Sequence, residues 1–243
     1  MKFDFGDGKG QVDAHRHQNG GGFVADTATV DPTAFVGPDA LVFGEAKVLE
    51  FARIDKYGKV FGNAVVSGVS HITDQASVFG NCKILNEAII FNSACVYDDA
   101  EVCEEASIGR YAHIFGKSKI YRKSFVHGTA RVFEEASVFG SAMVYGSACI
   151  GGKSKIFKDA LVFENAFVFG DASICGHARI YGHSKISGRC IIKDRASVLG
   201  KSCILNNSII GGNSEIKDVI ISGDLEYNPK RDFEPIVFLD YDN

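Results

Sequence analysis

Seven histidines and seven cysteines are the side chains of this 243-residue chain best suited to chemistry. An imidazole can take or give a proton near neutral pH, so each His is a candidate general base. His71 and His113 stand immediately before an Ile, His127 stands immediately after Val126, and His177 and His183 each follow a Gly. His15 and His17 lie in the polar stretch Asp13-Ala-His-Arg-His17. Asp13, His15 and His17 alternate, so on a strand they share a face and could offer ligands to a metal. A polar arm is the plainer use of that stretch. His177 and His183 fall on successive corners of the repeat described next, which is too far to share one ion. No metal site is expected. The cysteines at 82, 95, 103, 149, 175, 190 and 203 are odd in number and form no CxxC. None stands with His at zinc-finger spacing, so reduced thiols in an intracellular protein are the reading.

The elements that would position these side chains follow from a repeat. From Val30 to Ile216 every sixth residue is Val or Ile, 32 positions in a row, 16 of each. Two residues before each stands a small residue: 21 Ala, 8 Ser, 2 Cys and Gly58. The position two after the Val or Ile is often Gly, as at Gly44, Gly62, Gly68, Gly80, Gly116 and Gly128. Ala136-Ser-Val-Phe-Gly-Ser is one unit and Ala142-Met-Val-Tyr-Gly-Ser the next. A six-residue period fits neither a helix nor a plain strand. Within it, small–out–large–out has the period of two that a short strand requires. β-Branched residues at the inward site favour a strand, and Gly, Asn or Asp suits the corner that follows. One flat side and one corner, repeated, make a prism.

The number of sides shows in the residue after each Val or Ile, where 14 of 32 are aromatic. Sorted by every third unit, one column reads Phe43, Phe61, Phe79, Tyr97, Phe115, Phe133, Gly151, Phe169, Ser187 and Leu205. Seven of these ten are aromatic, against seven of 22 elsewhere, so the chain completes one turn with every third unit. The fold class expected is all-β: a single chain wound as a parallel β-helix of hexapeptide repeats, with triangular coils of three hexapeptides each. About 10.7 coils at roughly 4.8 Å each would make a rod of about 50 Å. A lone coil cannot bury its Val and Ile, so stability comes from stacking, and open ends need covers.

Residues 1–22 lack the repeat and are read as an N-terminal cap or arm; 23–221 form the β-helix; 222–243 form a C-terminal tail. The tail ends in an apolar run, Pro235-Ile-Val-Phe-Leu239, expected as a final strand along the rod, over the last coil, or on a neighbouring subunit. Lys and Arg number 26 against 30 Asp and Glu, a formal charge of -4, which offers no basic field for nucleic acid. The chain opens Met1-Lys-Phe-Asp-Phe-Gly-Asp, without the apolar run of a secretory signal, and no stretch is apolar for long enough to span a membrane. A cytoplasmic location is expected, with no membrane partner.

The repeat resembles the bacterial hexapeptide-transferase repeat, [Leu/Ile/Val]-[Gly/Ala/Glu/Asp]-x-x-[Ser/Thr/Ala/Val]-x, over residues 24–216. The resemblance implies a left-handed coil, which the general rule for parallel crossovers would not. Phe or Tyr often fills the second position here. With the lead-in Gly20-Gly-Gly-Phe-Val24, that variant is similar to bacterial and phage proteins carrying a transferase label, hence a bacterial or virion-associated setting. Enzymes of the family are typically trimers, with acyl or acetyl donors on coenzyme A and a cleft histidine as base. The resemblance therefore implies His113, His127 and His71 as catalytic, and acetyl- or acyl-coenzyme A as donor, if this chain is such an enzyme. A long loop covers the cleft in many of them, and this repeat has no insertion that could supply one.

The aromatic column supports a different use. If outward, Phe43, Phe61, Phe79, Tyr97, Phe115 and Phe133, with Phe169 beyond, form a stripe that is costly to leave wet. It would serve self-association, a trimer above all, or a partner protein; alternatively the rings lie over neighbouring backbone and bind nothing. A structural or assembly module presenting a rigid oligomeric rod, with no chemistry or cofactor of its own, is the first expectation, and a coenzyme A-dependent acyl- or acetyltransferase the alternative.

Overall fold

A computed structural model describes residues 1–223 and 226–227. The expected tail strand, 235–239, lies outside the described residues. The chain divides after Lys123 into two compact units, and each is an all-β, three-walled parallel solenoid.

In unit 1 the first wall stacks Leu41–Val42, Lys59–Val60, Ser77–Val78, Cys95–Val96 and His113–Ile114. The second runs from Thr29–Val30 through Lys47–Val48, Val65–Val66, Lys83–Ile84 and Glu101–Val102 to Lys119–Ile120. The third holds Phe35–Val36, Arg53–Ile54, His71–Ile72, Ile89–Ile90 and Ser107–Ile108. Within these walls each strand pairs with the one three units further along the chain, as Val60 with Val78 and Val78 with Val96. Unit 2 repeats the plan from Phe125–Val126 to Glu226–Tyr227.

The Val and Ile of each unit fill the interior: Val78, Val96 and Val132 are fully buried, as are the Ala two residues before each. The small site accepts Ser because the hydroxyl finds an acceptor close by. Ser184 Oγ donates to Tyr181 O at 2.9 Å, and Ser208 Oγ to Leu205 O at 2.9 Å and Gly223 O at 3.0 Å. Ser70 differs, with its Oγ buried and unbonded. An unmet hydroxyl in such a site costs about 1–3 kcal/mol. Ser70→Ala is therefore expected to raise unfolding stability by about 1 kcal/mol, and Ser208→Ala to lower it by about 1 kcal/mol. Denaturant titration of both variants beside the wild type checks the opposite signs.

Corners sit in the left-handed backbone region, with φ of 69° at Gly44 and 59° at Glu50. Where a corner is not Gly, its side chain often bonds the amide of the equivalent corner one coil further along. Glu50 Oε2 accepts from Gly68 N–H at 2.6 Å, Asp98 Oδ2 from Gly116 N–H at 3.2 Å, and Glu164 Oε2 from Gly182 N–H at 2.9 Å. That bond offsets the strain of a non-Gly residue in this region.

Residues 1–25 cover the first coil. Strand β1 (Lys2–Asp4) pairs antiparallel with β2 (Gln11–Arg16), and β2 with β3 (Phe23–Ala25), which begins the first wall. The turn between β2 and β3 closes the edge of the third wall: Val36 N–H donates to Asn19 O at 3.0 Å and Gly22 N–H to Val36 O at 2.9 Å. Antiparallel cover of this kind removes an open parallel edge. At the other end the coil continues past Ile216 with one residue fewer. Ile204 pairs with Ile221 and Ile210 with Tyr227, each one position short of the regular register, and Ile221 takes the core place.

Candidate functional site

The third wall of unit 1 gathers the most polar side chains around one histidine. Arg53 and His71 occupy the outward place before the core residue on neighbouring strands. Asp55 follows Ile54 and is also outward. Its Oδ2 accepts from Arg53 Nη2 at 2.8 Å and lies 3.0 Å from His71 Nε2. The Arg53 guanidinium rests on the Phe35 ring, 4.3 Å from its centroid. In the tautomer that donates Nε2–H to Asp55, the Nδ1 lone pair of His71 is left to accept a proton, as an oriented base requires. Beside it Lys56 Nζ meets Asp74 Oδ1 at 2.6 Å, and Asn92 N–H meets Asp74 Oδ2 at 3.0 Å. Those bonds, the Lys56 one foremost, hold the Asp74 carboxyl below its ordinary range.

The other two candidate histidines stand among rings. His113, half-buried on the first wall, meets Tyr97 edge-on at 6.1 Å. His127, on the third wall of unit 2, stacks on Tyr145 at 5.2 Å and 5° and tilts against Phe125 at 4.6 Å. The corner and arm histidines do not converge. His177 Nδ1 lies 3.8 Å from Asp159 Oδ2, and His15 Nδ1 lies 2.8 Å from Asp26 Oδ1. His17 is buried, with Nδ1 3.1 Å from Asn19 O. Among the described residues no three His, Cys, Asp or Glu could hold a metal ion together. All seven thiols are free; burial pushes Cys82 up to about 12, and burial with Glu101 and Glu104 pushes Cys103 up to about 11. Thiols so raised stay protonated and are poor nucleophiles.

The aromatic column forms a ladder on the first wall of unit 1. Phe43, Phe61, Phe79, Tyr97 and Phe115 stack at 4.7, 4.8, 5.0 and 5.0 Å, within 6° of parallel. The N-terminal hairpin continues it, since Phe5 stacks on Phe43 at 5.0 Å and Phe3 on Phe23 at 3.7 Å. In unit 2 the column changes character at Gly151. Phe133 and Phe169 meet there edge-on at 5.8 Å, where a Cβ on Gly151 would sit 2.8 Å from Phe169. Two further ladders stand on other walls of that unit: Tyr145–Phe163–Tyr181, at 4.8 Å per step, and Phe139–Phe157 at 5.0 Å. Counting along one column misses them, although the same three-unit spacing marks them too.

No family model and no curated protein matches this sequence. The solenoid is what the chain shares with hexapeptide-repeat proteins. Among the described residues no helix is long and apolar enough to cross a membrane.

Proposed function

We propose that this chain is a structural or assembly module, a rigid β-solenoid that works as a homo-oligomer, with a trimer expected. The observation that carries this reading is the constancy of the coil. From Thr29 to Ile192 each strand is two residues long and each connection four, so no loop leaves the walls to enclose a substrate. Small-molecule sites are concave and largely enclosed, whereas flat, ladder-bearing walls suit contact with another surface. Sedimentation equilibrium tests it: a species of three times the 26.2 kDa chain mass is expected, and a monomer at every concentration sinks the reading.

The His71–Asp55 pair favours a second reading, an acyl- or acetyltransferase of the hexapeptide-repeat kind. There His71 would take the proton of an acceptor hydroxyl or amine as that group attacks the thioester carbonyl; the C–S bond would break, and the proton would pass to the leaving sulfur to release coenzyme A. Calorimetry with acetyl-coenzyme A separates the two. The structural reading expects no saturable heat; the transferase reading expects saturable binding, and acetyl transfer that is lost in His71→Asn.

A further inference from the structure

We infer that the N-terminal hairpin and the first coils of unit 1 frame a binding site for a small arylalkyl ammonium ion, one aromatic ring with a cation on a short chain. The inference does not depend on the oligomeric reading above. The hairpin of β1 and β2 stands off the coils, and a cavity of about 330 Å³ lies between its tip and the corner row that follows the first wall. That volume is at the small end for ligand sites, which join an apolar lining to a few placed polar groups. The tip is held by its own turns. Gly6 N–H donates to Asp4 Oδ1 at 2.8 Å, and Lys9 N–H donates to Asp7 Oδ1 at 3.1 Å.

The floor of the cavity is apolar. Phe5 and Val12 of the hairpin meet Ala25 and Phe43 of the coils there, in one small hydrophobic cluster. Both faces of Phe43 are covered, by Phe5 at 5.0 Å and by Phe61 at 4.7 Å, so its ring offers the cavity only an edge. A ring edge is the positive part of the aromatic quadrupole, and it draws the face of another ring rather than a bare cation.

The rim is acidic. Asp7 and Glu45 set two carboxylates there against one ammonium, Lys9. Lys9 Nζ lies 3.8 Å from Asp7 Oδ2 with its side chain 77% exposed, so it turns to water and offsets one carboxylate only. The Glu45 carboxylate has no ion pair or hydrogen bond among the described residues. The Thr27 hydroxyl donates to Gly44 O at 2.6 Å and Asn63 Nδ2 to Asn81 Oδ1 at 3.0 Å, which leaves the Thr27 and Asn63 oxygens to accept. A cation therefore meets a net negative charge and spare acceptors. An anion would have to face Glu45 and part Lys9 from Asp7. Ring below and ammonium above, joined by a short chain, match floor and rim together.

The test is a titration of the full chain with phenethylammonium at pH 7, followed by the backbone amide shifts in nitrogen–proton correlation spectra. Saturable shifts are expected at Asp7, Gly8, Gly44, Glu45 and Gly62, with a Kd on the order of 1 mM. Phenylacetate keeps the ring and reverses the charge; ethylammonium keeps the charge and lacks the ring. Each is expected to bind about tenfold more weakly or worse. Glu45→Lys, at an exposed corner, should weaken phenethylammonium binding by about fivefold or more. Glu87→Lys makes the same change of net charge away from the cavity and should bind as the wild type does. Glu45→Gln, with a loss of about twofold, serves if circular dichroism shows the lysine variant misfolded. Absence of saturable shifts at these amides, either control ligand binding as tightly as phenethylammonium, or wild-type affinity in a folded Glu45 variant overturns the inference.

Discussion

Ile90→Ala is expected to lower the free energy of unfolding by about 2–5 kcal/mol, the range for emptying a fully buried aliphatic site. Ile90 is wholly buried on the third wall of unit 1, paired with Ile72 on one side and Ile108 on the other. The coils meet at a strand spacing of about 4.8 Å, and each core side chain packs mainly on those directly above and below. The backbone ladder fixes that spacing, so neighbours cannot close in on the hole and the cavity penalty persists. Ile89→Ala, one residue away on the outside, should change stability by less than about 0.5 kcal/mol. Denaturant unfolding of the two variants is the measurement, and similar losses in both would contradict the burial pattern.

Phe79→Ala is expected to cost about 2–4 kcal/mol, the sum of lost stacking and lost apolar burial. Phe79 is the middle ring of five, stacked at 4.8 Å on Phe61 and at 5.0 Å on Tyr97. Each stacked pair contributes about 0.5–1.5 kcal/mol beyond its buried area, and the half-buried ring adds apolar area at about 25 cal/mol per Å². Removal also leaves Phe61 and Tyr97 each with one bare face. Tyr97→Phe keeps the stack and should stay within about 0.5 kcal/mol of the wild type. A loss below about 0.5 kcal/mol for Phe79→Ala, the size of an ordinary surface change, would mean that the rings contribute little to the coil.

The walls could be read from the sequence because the inward sites admit so few residue types. A β-branched residue every six positions, with Ala or Ser two before it, leaves one arrangement in which all of them are enclosed. The threefold periodicity could be read from Phe43, Phe61, Phe79, Tyr97 and Phe115, since rings three units apart stack only if the chain returns above itself. The pairing of His71 was less accessible. Its partner Asp55 stands on the neighbouring strand, a diagonal contact that depends on Arg53 drawing the carboxylate onto the same wall. Position in the repeat offers His113, His127 and His71 alike as outward histidines, and position does not report which side chains stand beside a ring. The shortened last coil was legible as a loss of register after Ile216, but its cause, Ile221 moving into the core one residue early, required the backbone.

A coil of unit 1 enters and leaves each wall at places equivalent to those of the coil below it. Duplicating one whole coil in the gene would lengthen the stack by a single rung of about 4.8 Å and preserve every outward column. Adding a single hexapeptide would instead carry all later columns round to the neighbouring wall and break the ladders. Adding one residue would turn the later side chains inside out. Growth and loss of such a protein are thereby ratcheted to complete turns.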